Sequence, residues 1–177
     1  MDRCLLDLFP LSEQVVVSGW GNTSPAITNL MDCNVGEIRM AISEDLRLIA
    51  RGLGRSYGDS AYVGGGRTLR LQSHGGISIN GDLAIVDGGV SIDELLKVSV
   101  PLGLFVPVSP GTRFVTIGGA IAADVHGKNH HCDGTFGSHV QHIELITPTG
   151  IEVNLTPSDE LFWATVGRMG LTGVILR

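Results

Sequence analysis

Glycine placement constrains this chain more than any other feature, with 25 glycines among 177 residues. They follow no collagen-like period and gather at a few points. That predicts several tight loops where main chain approaches something closely. The densest loop is ARGLGRSYGDS (residues 50–60), at the exit of a short apolar run over residues 47–51. Glycines there let successive amides converge into an anion-binding nest. Arg51 and Arg55 would add charge-assisted hydrogen bonds, Ser56 and Ser60 hydroxyl donors, and Tyr57 a flat face for a ring. A diphosphate asks for this set. An ordinary glycine-rich turn with solvated arginines is the other reading of the same residues.

Two more glycine-rich stretches follow. In residues 110–127, Gly111 and Thr112 offer a second phosphate contact, and Gly118-Gly119 removes side chains where a flat ring would lie. Residues 167–173 read GRMGLTG, which is GxxGxxG rather than GxGxxG and precedes a strand instead of following one. The dinucleotide fingerprint of the doubly wound fold is therefore not met, and the GxxxxGK[ST] pattern is also missing.

Composition narrows the function. The net charge is −6 with no basic block, which makes nucleic acid or an anionic membrane surface a poor main partner. With 43% hydrophobic and 17% charged residues the chain is expected to fold. Cys4, Cys33 and Cys132 are far apart and odd in number, so no disulfide framework is expected. No stretch has the apolar length of a membrane span, and residues 1–14 lack a signal-peptide core, so a soluble or peripherally attached protein is expected.

The periodicities predict strands at 15–17, 47–51, 68–71, 76–79, 83–86, 104–106, 142–147, 151–155 and 171–176. Helices are expected near 35–43, after a Ser91/Glu94 capping box, within 117–125 and from 157–160 onward. Turns at His74-Gly75-Gly76 and Asn80-Gly81-Asp82 separate the middle strands. Regular βαβ alternation is missing, so the expected class is α+β with mixed or antiparallel sheets.

His126 and His130 have the i, i+4 spacing of a helical metal pair, but Gly127 and Asn129 oppose a helix and no carboxylate companion follows. A polar loop lining a ligand cavity is the better reading. Lys128 is either an anchor for an anionic or hydroxylated substrate or a solvated lysine.

Five stretches, SGWGNTSPA, ARGLGRSYGDSA, SPGTRFVTIGGAIAADVHGKNHH, GTFGSHV and ELFWATVGRMGLTGVI, resemble the vanillyl-alcohol-oxidase-like flavoproteins, whose FAD domain is called PCMH-type. The similarity is strongest to the branch that oxidises a secondary alcohol of a polyprenyl-phosphoryl pentose in making cell-wall arabinan precursors. This resemblance implies an FAD-binding domain over 1–177, with lobes of about 1–108 and 109–177 and FAD between them. A C-terminal substrate domain is expected to be missing from this sequence.

By the same resemblance, Ala50, Arg51, Gly52, Leu53, Gly54, Arg55, Ser56, Tyr57, Gly58, Asp59 and Ser60 cradle the diphosphate, helped by Gly111, Thr116, Ile117, Gly118 and Gly119. Ala123, Asp124, Val125 and His126 would lie along the flavin, and Val174 and Ile175 on the adenine side. Ser56 stands where many relatives carry a tethering histidine, which implies noncovalent FAD. His126 and Lys128 match positions facing the substrate. Arg168 replaces a glycine of close relatives, and either crowds the flavin or points outward. A partner reductase and a cytoplasmic or inner-membrane-face location are also implied. The alternative is a fragment that binds FAD without turnover.

Overall fold

The computed structural model describes residues 13–44, 47–71 and 76–177. The expected turn at His74-Gly75 and the reading of the first twelve residues lie outside them. Strand β1 (Glu13–Val17) pairs antiparallel with β2 (Ala26–Cys33), which sequence periodicity did not reveal. Helix α1 (Val35–Ser43) begins with a reciprocal cap: the Glu37 amide donates to the Asn34 side chain at 3.1 Å, and the Asn34 amide to the Glu37 carboxylate at 2.7 Å. Next come β3 (Leu48–Arg51) and β4 (Arg67–Leu71), giving the order β1-β2-β4-β3.

Strand β4 runs parallel to both β2 and β3. Parallel neighbours cannot be joined by a tight turn and need a long crossover, usually a helix. Between β3 and β4 no helix intervenes; the glycine-rich loop, residues 52–66, is itself the crossover. Fold and candidate phosphate loop are thus the same piece of chain.

A hairpin follows, β5 (Ile77–Asn80) with β6 (Leu83–Val86), turned at Gly81 with φ 63°. Helix α2 (Ile92–Ser99) packs beside β5, and a 3-10 turn covers Val100–Leu102. Leu104–Val106, expected as a strand, has no ladder partner: Phe105 is 64% exposed, and the run is an apolar crest. Helices α3 (Ile117–Ala122) and α4 (His130–Asp133) precede the antiparallel sheet β8-β7-β9, formed by β7 (Ile143–Ile146), β8 (Glu152–Leu155) and β9 (Val174–Ile175). Helix α5 (Glu160–Thr165) covers it with the fully buried Phe162. The class is α+β.

Two cores form, and they do not divide at residue 108. Val90, Ile92 and Leu95 share one core with Ile121, Leu145 and Phe162. The other joins Met31, Ile38 and Leu69 to Ile146, Val174 and Leu176. Strand β9 therefore stitches the N-terminal sheet to the rest. Among the described residues no helix is long and apolar enough to cross a membrane.

The α2 cap has a pH consequence. The Ser91 hydroxyl and then the Ser91 amide, both bonded to the Glu94 carboxylate at 2.7 Å, hold that carboxyl below the usual glutamate range. A depressed native pKa adds stability above the unfolded value, and this is lost as pH falls through the native value. The urea midpoint is expected to fall on acidification, and to fall less in Glu94→Gln. Equal acid slopes for the two proteins would remove Glu94 from this account.

Candidate functional site

The exit of β3, the start of α3 and the chain before β9 converge on a cleft of ≈ 300 Å³. Its walls meet through glycine. The Gly118 amide donates to Gly88 O at 2.9 Å, and the Gly88 amide to Leu176 O at 2.6 Å. A Cβ on Gly118 would sit 3.1 Å from Gly88 O, and one on Gly88 would collide with Ile175 O. A Cβ on Gly52 would strike the Thr116 hydroxyl, so only glycine lets the loop after β3 lie against α3.

Arg51 stands on the cleft wall, half-buried. Its guanidinium donates to Ser18 O at 3.1 Å and Ala61 O at 3.2 Å, tying the β1–β2 connection to the glycine loop. No carboxylate among the described residues pairs with it. Burial lowers its pKa, opposed by Tyr62 and reinforced by the Arg70 charge. Arg70, also on the wall, is already paired with Asp32 through a bidentate bond. Arg51 therefore has the environment of a cation lacking its counterion.

Amide donors are unevenly distributed. Those of Ile117, Gly118 and Gly119 are committed to Val90 O, Gly88 O and the Thr116 hydroxyl, at 2.7, 2.9 and 3.0 Å. Those of Leu53 through Asp59 reach no acceptor among the described residues. Anion-binding capacity thus lies on the loop, and α3 contributes a bare surface instead. A diphosphate fits this cleft on both counts: Arg51 with the Leu53 and Ser56 amides as donors, and one stretch of wall bared by Gly118 and Gly119.

Of the residues singled out by sequence, Ala50, Arg51, Gly52, Leu53, Ser56, Ser60, Thr116, Gly118, Gly119, Ala123, Val174 and Ile175 line the cleft. Gly54, Arg55, Tyr57, Gly58 and Asp59 lie on the loop but off the wall. Arg55 stacks on Trp20, its guanidinium 4.5 Å from the ring centre. Ile117 is a core side chain and Val125 packs against the same core. Asp124, with φ 42°, accepts the Gly137 amide at 3.0 Å. Arg168 is exposed and off the cleft, so it points outward; Met169 and Gly170 take the wall. Sequence reasoning missed Gly88 and Gly89, although a glycine pair at the exit of a strand is a legible signal.

Gly111, His126 and Lys128 line a second, open cavity of ≈ 800 Å³ between residues 105–111 and 126–130. Asn129 fixes its shape: the side-chain amide donates to Pro107 O at 2.9 Å and to the Asp133 carboxylate at 2.7 Å. The His126 and His130 rings meet edge-on with centroids 5.3 Å apart. Among the described residues no three His, Cys, Asp or Glu side chains are grouped as metal ligands.

The family described as "FAD binding domain" matches residues 35–156. Decaprenylphosphoryl-beta-D-ribose oxidase of Mycolicibacterium smegmatis is 49% identical over 171 residues, covering 90% of this chain. The chain spans 37% of that relative's length. Alditol oxidase of a Streptomyces species is 30% identical over 90 residues, which is 51% of this chain and 21% of that protein. D-lactate dehydrogenase of Anaerostipes hadrus is 27% identical over 101 residues, 55% of this chain and 21% of that protein. The match covers α1 through β8 and encloses both the glycine loop and α3, so the chain belongs to the family of FAD-binding domains.

Proposed function

We propose that this chain is the FAD-holding part of an oxidoreductase acting on a secondary alcohol of a polyprenyl-phosphoryl pentose, with FAD bound noncovalently. The observation that carries the reading is Arg51, half-buried on the same wall as Leu53 and Ser56; among the described residues it has no counter-charge and their amides no acceptor. In this role Arg51 and the loop amides hold the diphosphate, while Gly118, Gly119 and Ala123 keep one wall flat. Val174 and Ile175 offer apolar surface for the adenine end. Ser56, on the wall, has no means of forming the tether a histidine would form. When bound, the flavin supplies the two-electron acceptor that protein side chains lack. His126 and Lys128 bind and orient the substrate at the edge of the second cavity.

The substrate assignment follows the Mycolicibacterium smegmatis relative, whose name specifies a decaprenylphosphoryl ribose. A separate reductase would then return the keto sugar, and the lipid-linked substrate would bring the protein to the inner membrane face. The second reading is FAD binding without turnover. Anaerobic mixing of the FAD-loaded chain with farnesylphosphoryl ribose separates the two. Bleaching of the flavin band is the expected result. Flavin that binds and stays oxidised selects the second reading, and a chain that takes up no FAD defeats both.

A further inference from the structure

An apolar groove of ≈ 680 Å³ runs beside the His126–Lys128 cavity, between the β5–β6 hairpin and the 136–142 segment. The two cavities share one wall, Phe105, Val106 and Pro107. On the groove side, Leu83 is 42% and Ile85 50% exposed, and Phe105 on the crest is 64% exposed. The neighbouring turn adds Val100 and Leu102, also exposed. A two-stranded hairpin showing two large aliphatic side chains to water is an unfavourable surface unless something apolar lies on it. The other side of the shared wall has the opposite chemistry: Lys128 with His126 and His130, and no acidic side chain on the cavity lining.

We infer that the groove holds the polyisoprenoid chain of a polyprenyl-phosphoryl substrate, whose phosphate lies across the Phe105 crest beside Lys128. This rests on the proposed substrate class. The juxtaposition favours this occupant over a protein segment, because a single ligand with a long hydrocarbon tail and one anionic group satisfies both cavities at once. Leu83 and Ile85 contact the tail without touching the flavin cleft, which shares neither residue. Tail contact and flavin binding are therefore separable by mutation.

Calorimetric titration of the FAD-loaded chain with farnesyl phosphate, below its aggregation concentration, and with methyl phosphate tests this. Farnesyl phosphate is expected to bind at least about tenfold tighter than methyl phosphate. Leu83→Asp with Ile85→Asp should erase that difference while leaving methyl phosphate binding, flavin content and far-ultraviolet dichroism unchanged. Both sites are already solvent-facing, so the variant keeps its core. Lys128→Ala should weaken both phosphates. Equal affinity for the two ligands, or a farnesyl preference that survives the double substitution, overturns the inference. So does a dimer in sedimentation that the double variant splits and farnesyl phosphate does not, since the groove would then hold a second copy. Loss of FAD uptake in the unaltered chain would instead count against the parent reading, so the two failures are distinguishable.

Discussion

Gly119→Val is expected to give a folded protein that carries no flavin. A Cβ at this position would stand 2.9 Å from the Thr116 hydroxyl, the group that caps α3 by accepting the Gly119 amide. The hydroxyl must turn away, leaving that amide unpaired, and the rest of the isopropyl group projects into the cleft that Gly118 and Gly119 line. Loss of such a cap costs about 1 kcal/mol, small beside the stability of a domain. Steric exclusion from the cleft is not graded in that way. Flavin absorbance of the purified protein and dichroism of the same sample report the two effects separately. A yellow Gly119→Val protein would show that no part of the dinucleotide crosses this wall.

Arg51→Gln should weaken FAD binding by about ten- to a hundredfold, corresponding to about 1.5–3 kcal/mol for a hydrogen bond to a charged group. Glutamine retains a donor for Ser18 O or Ala61 O but removes the one cation without a carboxylate partner among the described residues of the wall. The loss should shrink as salt rises in the titration, because only the unaltered protein holds a screened charge pair. Arg70→Gln is the control: Arg70 lies on the same wall but is already neutralised by Asp32. Fluorescence titration of flavin-free protein measures all three. If the Arg70 variant loses as much affinity as the Arg51 variant, the anion is held elsewhere on the wall.

Much of this architecture could be read from residue patterns, and the parts that could not share a cause. The Asn80-Gly81-Asp82 hairpin and the Ser91/Glu94 cap are local, set by side chains three or fewer positions apart, and they stand where the sequence puts them. Strand β2 stayed hidden because Thr28, Asn29 and Asp32 interrupt its apolar pattern. Its buried threonine is satisfied only from the neighbouring β4 side, by Gly66 O at 3.2 Å and the Thr68 hydroxyl at 2.8 Å. Leu104–Val106 erred the other way: three apolar residues suggest a strand, but only a neighbouring strand can make one. The glycine loop was legible as an anion nest from composition. Its partition was not, since which amides stay free depends on Gly88 and Val90, distant in sequence from α3.

In the proposed role, the helix-free connection between β3 and β4 ties cofactor loading to the closing of the sheet edge. A peptide that must bridge two side-by-side parallel strands without internal helical bonds gains its rigidity from whatever it wraps. An empty chain would therefore be most vulnerable to proteases in this connection, beside the β3 edge of its first sheet, and a bound dinucleotide would act there as a clasp.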